Sequence, residues 1–112
     1  MSNIYDISTE LTREIRQLPA YIAAKESKMA LDQAPESKQL LQDFLAFQES
    51  LQAQIQKGEM PGEGANATMT TFHQAIEKDP LVLDFFAKQD QLGIYIADIE
   101  KIIMEPVQDL LK

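Results

Sequence analysis

The stretch Asp79–Lys112, DPLVLDFFAKQDQLGIYIADIEKIIMEPVQDLLK, constrains this chain more than any other. Asp79 is suited to cap a helix, and Pro80 to occupy its first turn, where a missing N–H costs nothing. Leu92, Ile96, Ile99 and Ile103 follow at spacings of +4, +3 and +4, a heptad-like seam. Phe86, Ile94, Tyr95, Ile102 and Met104 lie off that seam. A helix that is apolar on more than one face needs more than one covering surface. Pro106 cannot donate to the carbonyl of Ile102 and its ring crowds that turn. The residues therefore predict a kink near Pro106, or a fresh start there, with Val107, Leu110 and Leu111 folding back over apolar surface.

Length turns this into a prediction about assembly. At about 1.5 Å per residue, a helix over 80–112 spans roughly 50 Å. A compact sphere of 112 residues is only roughly 35 Å across. A hairpin of such helices protrudes from a compact monomer, and a second copy is the simplest cover for it. The candidate dimer and helix-packing residues are Phe85, Leu92, Gly93, Ile96, Ala97, Ile99 and Ile103. Gly93 and Ala97 form a small-xxx-small pair that admits a closely approaching helix. Such contact offers a reason for a helical glycine that otherwise costs about 1 kcal/mol relative to alanine.

The remaining segments also read as helices. Ser2 or Asn3 is a candidate cap for a first helix, whose stripe is Ile4, Ile7, Leu11, Ile15 and Leu18. Pro19 starts or kinks a second, weaker one containing Tyr21, Ile22, Met29 and Leu31, so that residues 1–34 hold the N-terminal helices. DQAP at 32–35 is a break. A long helix over 35–57 carries Leu40, Leu41, Phe44, Leu45, Phe47, Leu51 and Ile55. Gly58 suits the position just past its end, and GEMPGEGAN (58–66) reads as a loop. A short helix over 67–78, with Met69, Phe72 and Ile76 inward, precedes the long C-terminal helix over 79–112. No alternating strand pattern interrupts this. The predicted fold is all-α: one domain over 1–112 built on a long antiparallel helical hairpin, with additional N-terminal helices, dimerising through the long helices. Asp43–Leu51 also matches Asp84–Leu92 at Asp, Phe, Ala, Gln and Leu, with Ile55 falling on Ile96, as if the two long helices met related surroundings.

Chemistry is sparse. The chain has no cysteine, which removes disulfides, thiolate metal sites and cysteine nucleophiles. His73 is the only histidine, and the residue three before it is Thr70, so the Glu-x-x-His pair of a di-metal bundle is missing. Its expected place is a helix boundary facing Glu77. The acids of the last helix read as a solvated face, with Lys101 spaced to pair with Asp98 and Glu105. GEMPGEG lacks the Lys-Ser/Thr of a phosphate loop and follows no strand. No catalytic, cofactor-binding or metal-binding residue is predicted, so the expected protein is no enzyme and holds no cofactor.

Charge narrows the partners. The net charge is −8, with six basic against eight acidic residues over 1–57 and four against ten over 58–112. Direct nucleic-acid binding and anionic membrane surfaces are disfavoured, because both reward a basic surface. MSNIYD lacks the basic and apolar regions of a secretory signal, and the cytoplasm is the expected compartment. The expected partners are a second copy and another protein.

The quoted segments carry a resemblance. IYDIS-x-EL, LPAY…KESK (18–28), DFLAFQ (43–48), G-x-MP (58–61) and Q-LGIYIADIEKIIMEPV-x-x-LLK (91–112) together resemble the YheA-like small helical proteins of Gram-positive bacteria, within the wider YlbF/YmcA superfamily. That resemblance implies an all-helical dimer on a long hairpin, without established enzymatic activity. Relatives named YlbF and YmcA join a third protein in a complex that modulates an RNA-processing endonuclease and affects competence, sporulation and biofilm formation. They are associated with iron–sulfur clusters held by cysteines, a property that a cysteine-free chain does not inherit. The leading expectation is a homodimeric adaptor or regulatory subunit. The alternative is a small-molecule-binding protein or unrecognised enzyme with a polar site between helices.

Overall fold

The computed structural model describes residues 3–112 as five helices: α1 (Ile4–Ile15), α2 (Pro19–Asp32), α3 (Pro35–Gln56), α4 (Glu63–Glu77) and α5 (Pro80–Asp109). No strand occurs among the described residues. Their ends follow from local chemistry. The Asn3 carboxamide oxygen accepts from the backbone N–H groups of Tyr5 and Asp6, each at 2.9 Å, and Asp6 accepts in return from the Asn3 N–H. This is a reciprocal capping box that satisfies otherwise orphaned donors. Ser2, the other expected cap, lies outside the described residues. Pro19 and Pro35 open α2 and α3, as their fixed φ and missing N–H favour.

α3 ends where Gly58 takes φ +82°. The Gly58 N–H donates to Ile55 O and the Glu59 N–H to Gln54 O, both at 3.0 Å. These are the two bonds of a Schellman stop, which needs a residue without a Cβ at that position. The connection is shorter than the Gly-rich sequence suggests, for α4 starts at Glu63 and not at residue 67. Gly64 sits in the first turn, where backbone donors need no intrahelical partner. Later threonines settle into the helix by donating to carbonyls four residues back, as Thr68 does to Gly64 O at 2.9 Å.

α5 opens on Asp79. One carboxylate oxygen accepts from the N–H groups of Leu81 (3.0 Å) and Val82 (3.2 Å), and the other from the Ser37 hydroxyl at 2.7 Å. The helix then runs for 30 residues through Pro106 to Asp109, about 45 Å of rod.

The chain divides into two compact units, Lys28–Phe85 and the pair of segments Met1–Ser27 with Phe86–Lys112. The first has a true core. Leu31, Leu41 and Val82 are fully buried, Phe44 and Ile76 nearly so, and the buried Ser37 is satisfied by Asp79. Phe72 meets Phe44 edge-on at 5.5 Å between ring centroids and Phe47 at 5.4 Å, offset geometries that aromatic quadrupoles favour. Ser37 pairs with Asp79 and Phe44 with Phe72, so α3 and α4 run antiparallel. The second unit is different: among its described residues only Ala24 and Ser27 are buried. Leu11, Ile15 and Leu18, and likewise Leu92, Ile96 and Ile99, are half-covered.

Asp79→Ala removes a cap and strands the buried Ser37 hydroxyl. Urea unfolding is expected to show a loss of about 2–3 kcal/mol, against less than half that for Asp79→Asn, whose amide oxygen still caps.

Candidate interaction surface

The seam of α5 loses its cover along its length. Leu92, Ile96 and Ile99 are half-buried, whereas Ile103, on the same line, is 57% exposed. Every residue from Lys101 to Lys112 is exposed. Leu110 and Leu111 stand 85% and 80% open. These two residues and Val107 do not fold back, as the sequence suggested. α5 continues through Pro106 to Asp109, so Val107 stays on the helix, and Leu110 and Leu111 follow it as an exposed turn. Ile102, Met104 and Val107 widen the apolar surface around the seam, and Ile94 and Tyr95 extend it toward the N-terminus. In the same unit α1 exposes Ile4, Tyr5 and Ile7.

Gly93 lies on this rod in the open. A Cβ built there meets nothing within 4 Å, so no helix of the same chain uses the close approach that glycine allows. Gly93 and Ala97 instead floor a shallow open trough of about 340 Å³, walled by Gln89, Leu92, Ile96 and Glu100. A second open groove of about 490 Å³ is lined by Pro19, Ala20, Ala23, Gln91, Ile94 and Tyr95. Sequence reasoning passed over this groove. Pro19, Ile94 and Tyr95 stood out in the sequence for other reasons, but nothing in it joins them to Ala20 and Ala23. Phe85, the remaining candidate, is half-buried within the 28–85 unit.

Both hollows are open, and their linings are mainly apolar. Among the described residues, no three of His, Asp and Glu converge as metal ligands would. His73 lies within α4, not at its boundary, because that helix continues to Glu77. It is exposed, with its ring 6.4 Å from that of Phe44. Lys28 and Asp32 form an ion pair at 2.6 Å, whereas Lys101 bridges neither Asp98 nor Glu105. Exposed partners of that kind gain little against the entropy of holding two long side chains. No helix among the described residues is long and apolar enough to cross a membrane.

Comparison with known proteins gives a consistent result. The family model described as "Control of competence regulator ComK, YlbF/YmcA" matches residues 4–108. A UPF0342 protein of Streptococcus sanguinis (strain SK36) is 50% identical over 112 residues, covering all of both chains. One of Streptococcus pneumoniae serotype 4 is 47% identical over the same full span, and one of Streptococcus gordonii 46%. These relatives carry no enzymatic name.

With nothing against its Cβ, Gly93→Ala is expected to stabilise α5 by about 1 kcal/mol within a single chain. Thermal unfolding at concentrations where sedimentation finds only monomer would measure this.

Proposed function

The chain belongs to the YlbF/YmcA family of competence regulators, and from that membership we propose that it is a non-enzymatic homodimeric adaptor or regulatory subunit. The observation that carries the reading is the contrast between its two units. Residues 28–85 bury Leu31, Leu41 and Val82, whereas the other unit buries no large apolar side chain among its described residues. Conformational entropy costs about 1–2 kcal/mol per ordered residue, and half-covered side chains offset little of it. A second copy supplies the missing surface.

The available area suits that assignment. Covering a largely exposed Ile or Leu removes on the order of 60–100 Å² from water. The exposed side chains of α5 and α1 can together provide the roughly 800 Å² per partner of a standard interface. In the proposed dimer, Leu92, Ile96, Ile99 and Ile103 form the seam, with Phe85 at its near end and Gly93–Ala97 as the close crossing point. The exposed Gly93 supports this placement, because its tolerated cost is then offset by packing between chains. Regulation through protein contacts fits the family's link to control of the competence regulator ComK. A role in RNA-processing control, suggested by the wider superfamily, would be exercised through a protein partner, given the acidic charge of −8.

Sedimentation velocity at low micromolar concentration is expected to show a dimer. Ile103→Asp and Gly93→Leu should each weaken it by about tenfold or more, or ~1.4 kcal/mol. A folded, soluble monomer at that concentration would overturn the dimer. Affinity purification from the native bacterium followed by mass spectrometry tests the adaptor role, and recovery of the chain alone would count against it.

A further inference from the structure

A second apolar stripe also outruns its cover, at the opposite end of α3 from the core. Ser37, Leu41, Phe44, Leu51 and Ile55 fall on one line of the helix. The first three are buried, Leu51 is half-buried and Ile55 is 55% exposed. The cause lies on α4. Its Phe72 packs against Phe44, whereas its first turn, Glu63-Gly64-Ala65-Asn66, carries no large apolar side chain. Met60, in the intervening turn, is 89% exposed. The Schellman stop at Gly58 fixes the path of this turn.

Charge selects what can cover this tip. Glu59 and Glu63 flank Met60, and Lys57 is the only cation near them in the sequence. The whole 28–85 unit carries nine acids against four lysines, a net of −5. A second copy of the same tip would bring like charges together, and an acidic or uncharged partner would leave the carboxylates unused. An amphipathic helix with apolar anchors at i and i+4 and lysine or arginine on its flanks matches both features. Methionine suits such a surface, because its unbranched thioether adapts to different side chains.

We propose that the α3–α4 tip, through Leu51, Ile55 and Met60 with Glu59 and Glu63, docks a basic amphipathic helix of a partner protein. This rests on the adaptor reading but uses a surface separate from the α5 seam, so self-association and partner binding are distinct properties.

The test titrates the isotope-labelled full chain with a synthetic Leu/Lys amphipathic peptide of about four helical turns, and with its Leu/Glu counterpart. Backbone amide shifts on adding the Leu/Lys peptide are expected to concentrate at 45–66 and to weaken with salt. Ile55→Ser, at a site already half-open to water, and the double variant Glu59→Lys/Glu63→Lys should each lower affinity by about tenfold or more. Equal binding of the Leu/Glu peptide would overturn the proposal, as would shifts centred on 98–112 or affinity unchanged by both variants. Sedimentation of the same samples without peptide reads the dimer separately, so a monomeric result and a non-binding tip are distinguishable failures.

Discussion

The 28–85 unit depends on one carboxylate. Asp79 directs one oxygen at the first N–H groups of α5 and the other at the Ser37 hydroxyl near the start of α3. A helix N-terminus carries partial positive charge, so an anion there is favoured by both hydrogen bonds and dipole. Because Ser37 is buried, its hydroxyl needs a partner. The same contact fixes where α5 begins and the depth at which α3 sits. Val82, three residues past Asp79, then reaches full burial beside no other polar requirement. Leu31 and Leu41 complete a small core.

From this anchored region both long helices continue farther than their cover. On α3 the stripe runs from Leu41 to Ile55, and on α5 from Leu92 to Ile103 and beyond, each passing from covered to open. The physical reasons differ. α3 loses its cover toward its end, where the facing first turn of α4, Glu63-Gly64-Ala65-Asn66, carries no large apolar side chain. The seam of α5 runs on past Ile99 with every residue from Lys101 exposed, and Pro106 does not turn the tail back. Continued apolar patterning without burial is costly to solubility unless something covers it. Two such stripes, in separate units, leave room for two different occupants.

Much of the fold was legible because it is written in punctuation. Asn3, Pro19, Pro35, Gly58 and Asp79–Pro80 act through strictly local chemistry, and each stands at the helix end that its residue type favours. The start of α4 was not legible. Gly64 reads as a breaker, yet in a first turn it breaks nothing. Pro106 starts no fresh helix, since α5 carries on past it to Asp109. The candidate face was legible in part: periodicity found the seam at Leu92, Ile96, Ile99 and Ile103, but exposure is a tertiary property. Periodicity could not tell that Ile99 is half-covered and Ile103 open, nor that Ile55 shares a stripe with Phe44 without sharing its burial. The repeat between Asp43–Leu51 and Asp84–Leu92 was partly informative. Asp43 and Asp84 are both exposed and Leu51 and Leu92 both half-covered, although Ile55 is more open than Ile96.

In the proposed dimer, the unit without a large buried side chain gains its cover on association, which ties its stability to concentration. A partner that binds the folded assembly stabilises it by mass action, in proportion to the logarithm of partner concentration. The 28–85 unit has its own buried residues and is independent of that linkage. A regulator built this way can lose its paired arms while the acidic tip keeps its shape. Competition for the exposed α5 face would then change the number of tips presented together without changing the affinity of any one. Two tips on one dimer raise the effective concentration for a partner with two matching helices. Dissociation therefore weakens capture of such a partner far more than it weakens a single contact. That asymmetry gives the proposed adaptor a physical means of control.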